Sequence, residues 1–248
     1  MIHFGLIGRK LGHSFSQKFF TAKFTADQVD ADYALIEMES IEDIDDIIAK
    51  HNLSGFNVTI PYKESIIPYL DELSPEAEAA GAVNCVVLKN GKKIGYNTDI
   101  VGVDASLEWL EMATATGCLI LGTGGASKAV QYSLKRLGKE FHTVSRDAER
   151  GDYTYDSLTE DIIANHNVII NTTPVGMLPN VGTAPMICYD SIGSDHRLFD
   201  LVYNPANTLF LERGKARGAK ALGGMLMLQT QAIAAWHIWQ RELEIKGV

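Results

Sequence analysis

The chain has 248 residues, 46% of them hydrophobic and 21% charged, the profile of a globular protein large enough for one large domain or two ordinary ones. Its formal net charge is −9, so a nucleic-acid or anionic-membrane partner would need a local basic patch. The densest basic cluster, Arg213, Lys215, Arg217 and Lys220, is broken by glycine and alanine, and no apolar run approaches the length that spans a bilayer.

In chain order, "IHFGLIG" is a first strand, entered without the apolar stretch of a signal peptide, which points to a cytoplasmic protein. A loop "GRKLGHSFS" follows, then a helix over about 17–25 and a second strand, "YALIEM". "SIEDIDDIIAKHN" predicts an amphipathic helix capped by Ser40, with Ile41, Ile44 and Ile48 on one face. "GFNVTI" is a third strand that Pro61 stops, placing Thr59 and Lys63 at its end. Ser74-Pro75 opens a helix that Gly81 closes, and "AVNCVVLKNGKKIGYN" predicts a hairpin across Asn90-Gly91. A helix containing Val103, Leu107 and Leu110 marks a boundary near residue 100.

A second strand–helix series begins at "CLILGTGGASKAV", whose helix places Val130, Leu134 and Leu137 on one face and ends at Gly138. "EFHTVSR", "NVIIN" and "RLFDLVY" are further strands, and a last helix runs from about 226 to 239. This alternation predicts an α/β fold with mostly parallel sheet. Cys85, Cys118 and Cys188 form no CxxC pair, and no HExxH joins the seven histidines, so neither a disulfide framework nor a common zinc site is indicated. Cys85 and Cys118 lie in apolar runs and read as small buried residues.

Gly122, Gly124 and Gly125, between an apolar strand and a helix, form a dinucleotide-binding turn: glycine permits the bend, and helix N–H groups receive a pyrophosphate. The third glycine of GxGxxG falls at Ser127, so the pattern is incomplete. At the tip of the next strand stand Arg146 and, one turn on, Arg150; a guanidinium there suits a 2′-phosphate and favours NADP. Asp147 beside them either repels that phosphate or orients Arg146. Elsewhere two readings stand side by side. Ser14 and Ser16 cap a helix or grip an anion; Asn84 is a turn residue or a ligand contact; Thr98 or Asp99 caps the following helix or belongs to a site.

"GHSFS", "NVTIPYK", "GAVN", "NTD", "GTGGASKAV", "VSR", "NTTPVGM" and "DLVYNP", with Thr208 beyond it and a glutamine in the last helix, resemble in this order the shikimate dehydrogenase family over nearly the whole chain. The resemblance implies an N-terminal α/β substrate domain over 1–100, completed by a C-terminal helix at 225–248, and a Rossmann-like NADP domain over 101–224. It implies NADPH-dependent reduction of 3-dehydroshikimate to shikimate, a small-molecule substrate, no nucleic-acid or membrane partner, and a monomer or homodimer.

The implied catalytic pair is Lys63 and Asp99, with Lys63 favoured as acid/base and Asp99 as its orienter and a hydroxyl acceptor. Ser14 and Ser16 would hold the substrate carboxylate, Thr59, Asn84 and Asp99 the ring hydroxyls, and Tyr203 would add a phenol nearby. Of two glutamines in the last helix, Gln231 is preferred to Gln229 because it keeps the family spacing to Trp236 and Trp239. The implied cofactor set is Gly122, Thr123, Gly124, Gly125, Ala126, Ser127, Ser145, Arg146, Arg150, Thr172 and Met227. The chain departs from the family at Pro174 and at "VSRD", and "GDYTY" follows Arg150 so closely that the usual intervening helix is shortened or missing. Two alternatives accompany this reading: a quinate- or shikimate-using paralogue with relaxed or NAD cofactor use, and a non-catalytic nucleotide-binding protein on the same fold.

Overall fold

A computed structural model describes residues 1–12 and 14–246, so His13 of the "GHSFS" motif and the last two residues of the expected C-terminal helix lie outside the described residues. The chain divides into two compact units, one of Met1–Thr98 with Gln231–Val248 and one of Asp99–Thr230.

The first unit contains β1 (Ile2–Gly8), α1 (Phe15–Ala26), β2 (Ala31–Glu37), α2 (Ile44–His51), β3 (Gly55–Val58), β4 (Glu72–Leu73), α3 (Pro75–Ala80), β5 (Cys85–Lys89) and β6 (Lys92–Tyr96). Its sheet runs β2-β1-β3-β5-β6-β4. β1 pairs in parallel with β2 and β3, but β5 is antiparallel to both β3 and β6. The sheet is parallel-rich, and both of its antiparallel pairings involve β5, whose two-residue connection to β6 can only join antiparallel neighbours. Asn90 and Gly91 both take positive φ, 52° and 76°, as such a turn requires.

Local chemistry fixes the helix ends. The Ser74 hydroxyl accepts from the Ala77 N–H at the start of α3, and Gly81 ends that helix in the left-handed region at φ 65°. Ser40 caps a single 3₁₀ turn at Ile41–Asp43 that leads into α2, and Ile41, Ile44 and Ile48 all pack on the core. The predicted third strand is shorter than expected. It stops at Val58, Ile60 is 64% exposed, and Thr59 makes only one further ladder bond, from its N–H to the Ile7 carbonyl.

The second unit contains α4 (Asp99–Trp109), β7 (Cys118–Leu121), α5 (Gly125–Arg136), β8 (Phe141–Ser145), β9 (Tyr153–Thr154), α6 (Glu160–Asn165), β10 (Val168–Asn171), β11 (Arg197–Asp200), α7 (Leu209–Ala216) and β12 (Lys220–Leu222). Its sheet order, β12-β11-β10-β7-β8-β9, with every pairing parallel, is that of a doubly wound dinucleotide-binding fold. Val130 and Leu134 are buried as predicted, whereas Leu137, the C-cap residue just past the end of α5 at Arg136, is 47% exposed.

Between β8 and β9 there is no helix. Residues 146–152 form turns and bends, far fewer than a parallel crossover usually needs. Asp152 holds the short return: its carboxylate accepts from the Thr143 N–H at 2.7 Å and from the Thr143 hydroxyl at 2.8 Å.

The last helix, α8 (Met225–Glu242), extends past the predicted end at 239. Its second half belongs to the first unit, where Trp236 and Trp239 are fully buried. Trp239 stacks on Phe4 with centroids 4.4 Å apart, and its indole N–H donates to the Val86 carbonyl. A Cβ on Gly55 would stand 2.7 Å from the indole nitrogen of Trp239, so only glycine admits this packing. Cys85 and Cys118 are fully buried, and burial pushes the Cys118 thiol up to about 12. Among the described residues, no helix is long and apolar enough to cross a membrane.

Candidate active site

In the first unit, the turn after β3 is tied on three sides. The Tyr62 N–H donates to the Thr59 carbonyl, the Tyr62 hydroxyl to the Met38 carbonyl at 2.6 Å, and the Val83 N–H to the Lys63 carbonyl at 2.7 Å. Tyr62 is buried in the core and Lys63 is half-buried, so the buried neighbour fixes the backbone that carries the amine. Ser14 is the N-cap of α1, its hydroxyl oxygen accepting from the Ser16 N–H at 3.1 Å. A cap uses only the oxygen's lone pair, leaving the O–H as a donor, so capping and anion contact are compatible at Ser14. Ser16 is in the first turn of α1 rather than in the preceding loop.

Asn84 lies between β3 and the hairpin. Its side-chain oxygen accepts from the Thr98 N–H at 2.7 Å and the Thr98 hydroxyl at 3.1 Å, and its NH₂ donates to Gln231 Oε1 at 3.4 Å. Gln231 therefore meets Asn84 and Thr98 inside the first unit, while Gln229 is exposed. A second buried layer went unread in the sequence. The Tyr33 hydroxyl donates to Asn57 Oδ1 at 2.8 Å, and Asn57 Nδ2 to the Asn84 carbonyl at 3.1 Å. Its signal was an asparagine inside the apolar strand "GFNVTI", where a buried amide must find partners.

Asp99, Tyr203 and every cofactor candidate belong to the second unit. Asp99 is buried and opens α4. Burial raises the Tyr203 phenol above its ordinary value. Gly122 has φ 108°, and a Cβ there would stand 2.7 Å from the Thr172 hydroxyl and 2.9 Å from Thr173, so the turn needs glycine twice over. Thr172 ties the turn to β10 by donating its N–H and hydroxyl to the Leu121 carbonyl.

Gly124 is the N-cap of α5 without a side-chain cap, and nothing lies within 4 Å of where its Cβ would be. The first-turn N–H groups of α5, next to Thr123, Gly125 and Ala126, thus have no side-chain cap and are of the kind that can receive a pyrophosphate. Ser127, at the position of the missing third glycine, is fully buried and accepts from Gln131, so a small polar residue fills that contact.

Arg146 and Arg150 are exposed at the tip of β8. The Ser145 hydroxyl accepts from the Asp147 N–H, and the Asp147 carboxylate accepts from the Glu149 N–H. Asp147 is thereby a turn-forming residue. Met227 is buried; a Cβ on Gly102 would stand 2.5 Å from its carbonyl oxygen, so it packs against α4. Deeper in, Asp200 accepts from the Thr208 hydroxyl, Asn171 Nδ2 and the Val202 N–H, and burial pushes its carboxyl up to about 6.

A doubly wound parallel unit with an uncapped glycine turn, in the same chain as a unit carrying a lysine and a cluster of amides and hydroxyls, is the make-up of a two-domain α/β nucleotide-dependent enzyme. The family model described as "Shikimate dehydrogenase substrate binding domain" matches residues 6–86. Shikimate dehydrogenase (NADP(+)) of Methanococcus maripaludis is 37% identical, with 95% of this chain and 90% of that protein covered. The enzyme of the same name from Clostridium beijerinckii is 39% identical over 97% and 92%. Among solved structures, shikimate dehydrogenase 1 of Peptoclostridium difficile superposes with a TM-score of 0.87 at 38% identity, covering 97% of this chain and 92% of that one. The chain belongs to the shikimate dehydrogenase family.

Proposed function

We propose that the protein is an NADP-dependent shikimate dehydrogenase, reversibly reducing 3-dehydroshikimate to shikimate in the pathway to chorismate and the aromatic amino acids. The observation that carries this reading is the junction of Asn84, Thr98 and Gln231 in the unit that presents Lys63. A polyhydroxylated ring acid needs such a cluster of directional polar groups. When bound, NADPH supplies the hydride for the C3 carbonyl.

Lys63 Nζ gives the proton that the C3 oxygen needs and stabilises negative charge developing there. Asp99 orients that ammonium and accepts from a ring hydroxyl. Ser14 and Ser16 hold the carboxylate, with Tyr203 contributing its phenol, and Thr59, Asn84 and Gln231 hold the hydroxyls. Gly122 to Ser127, with Ser145, Thr172 and Met227, would hold the dinucleotide, and Arg146 with Arg150 the 2′-phosphate. An absorbance assay at the nicotinamide band, comparing NADP with NAD and shikimate with quinate, tests the reading. Fastest turnover with NADP and shikimate is expected; preference for NAD or quinate, or no turnover with any pair, would overturn it.

A further inference from the structure

Asparagine and glutamine amides can each be turned two ways, and which end meets a ligand decides what that ligand must offer. In the first unit the choice propagates from one group with no freedom. The backbone N–H of Thr98 can only donate, so the Asn84 atom 2.7 Å away is the oxygen. The other end of that amide is then NH₂, and the Gln231 atom it meets at 3.4 Å is also an oxygen. The Thr98 hydroxyl lies 3.1 Å from the first oxygen and 3.4 Å from the second, and donates into this pair of acceptors. The backbone of Asn84 has no slack either. Its carbonyl accepts from the Val58 N–H and from Asn57 Nδ2, and its N–H donates to the Tyr96 carbonyl. Thr98 itself is 1% exposed, so water does not compete for its hydroxyl.

We infer that Thr98 is a positioning residue: its backbone N–H sets which end of Asn84 faces it, and its hydroxyl, donating between the carbonyl ends of Asn84 and Gln231, holds both inward, so that both amides act on the substrate as N–H donors. The hydroxyl oxygens of the ring are then acceptors at these two residues, and their hydrogens go to carboxylate groups such as Asp99. This rests on the reading of Asn84 and Gln231 as substrate ligands and adds their polarity and its source.

Steady-state kinetics of Thr98→Val and Thr98→Ala test it, with Thr98→Ser as the conservative variant and Asn84→Ala and Gln231→Ala as references. Both variants lacking the hydroxyl are expected to raise KM for shikimate roughly five- to tenfold, more than they lower kcat. KM for NADP should stay within about twofold of wild type, and Thr98→Ser should recover most of the loss. The alanine variant, which adds no methyl next to the amides, covers the case in which valine disturbs folding. Unchanged shikimate KM in both, a parallel rise in NADP KM, or a serine variant as impaired as valine overturns the positioning role. If Asn84→Ala and Gln231→Ala themselves leave shikimate KM unchanged, the ligand reading falls, and the inference falls with it.

Discussion

Lys63 stands next to a fully packed tyrosine whose hydroxyl is bonded to the Met38 carbonyl, and its own carbonyl accepts from the Val83 N–H, so the tyrosine and the backbone hold the turn that carries it. Lys63→Ala should therefore fold normally and lose rate: kcat falls by roughly a hundredfold or more, with little change in apparent shikimate affinity. Near-normal kcat in a folded variant would remove the lysine from the chemistry. At the nucleotide end, Arg146→Ala should raise KM for NADP by about ten- to a hundredfold while KM for NAD hardly moves, since only NADP offers the 2′-phosphate. Equal losses would make the arginine structural. These residues stand out in the sequence because each carries its chemistry in its side-chain type. Asn57 and Tyr33 do not, nor do the partners of Thr98, because these lie in which atoms meet across the sheet, and strand pairing is not written in local spacing.

The α/β alternation was legible at the level of elements, because 3.6- and 2-residue periodicities and turn residues mark each one. Element ends were less so. Leu137 continues the apolar spacing of α5 but follows its last helical residue, and Ile60 looks like strand yet lies in a turn. The missing helix between β8 and β9 was readable from the short spacing; the Asp152–Thr143 tether that replaces it was not.

The loops after β10 and β11 meet through Asp200, which Asn171 and Thr208 both contact. Its carboxyl has an ordinary value of 3.8 and is raised to about 6 by burial, so its contribution to stability is full below 3.8 and is lost as pH rises through 6. Asp200→Asn cannot titrate. Denaturant unfolding across pH 4 to 7 should show a loss on the order of 3 kcal/mol in the wild type that the variant lacks. Parallel pH profiles would mean the carboxyl titrates normally.

For the whole molecule, the two series of elements, the hairpin and the late helix were visible in the sequence, but the antiparallel pairing of β3 with β5 was not, because periodicity does not specify strand direction. The two units differ in how they use the chain. Asp99–Thr230 is continuous, whereas the first unit needs residues from 231 onward. A chain ending at Thr230 should keep a cooperatively folded second unit and lose cooperative unfolding of the first, measured by circular dichroism and by proteolysis of residues 1–98. Retained protease resistance there would refute this. During synthesis the same arrangement inverts the usual order of completion. Phe4, Phe20 and Phe24 emerge from the ribosome before the second unit is made but wait for Trp236 and Trp239, which are made after it. A chaperone binding nascent aromatic segments would find its longest-lived target in the first 98 residues, and a stop codon just short of Trp236 would leave that target permanently open.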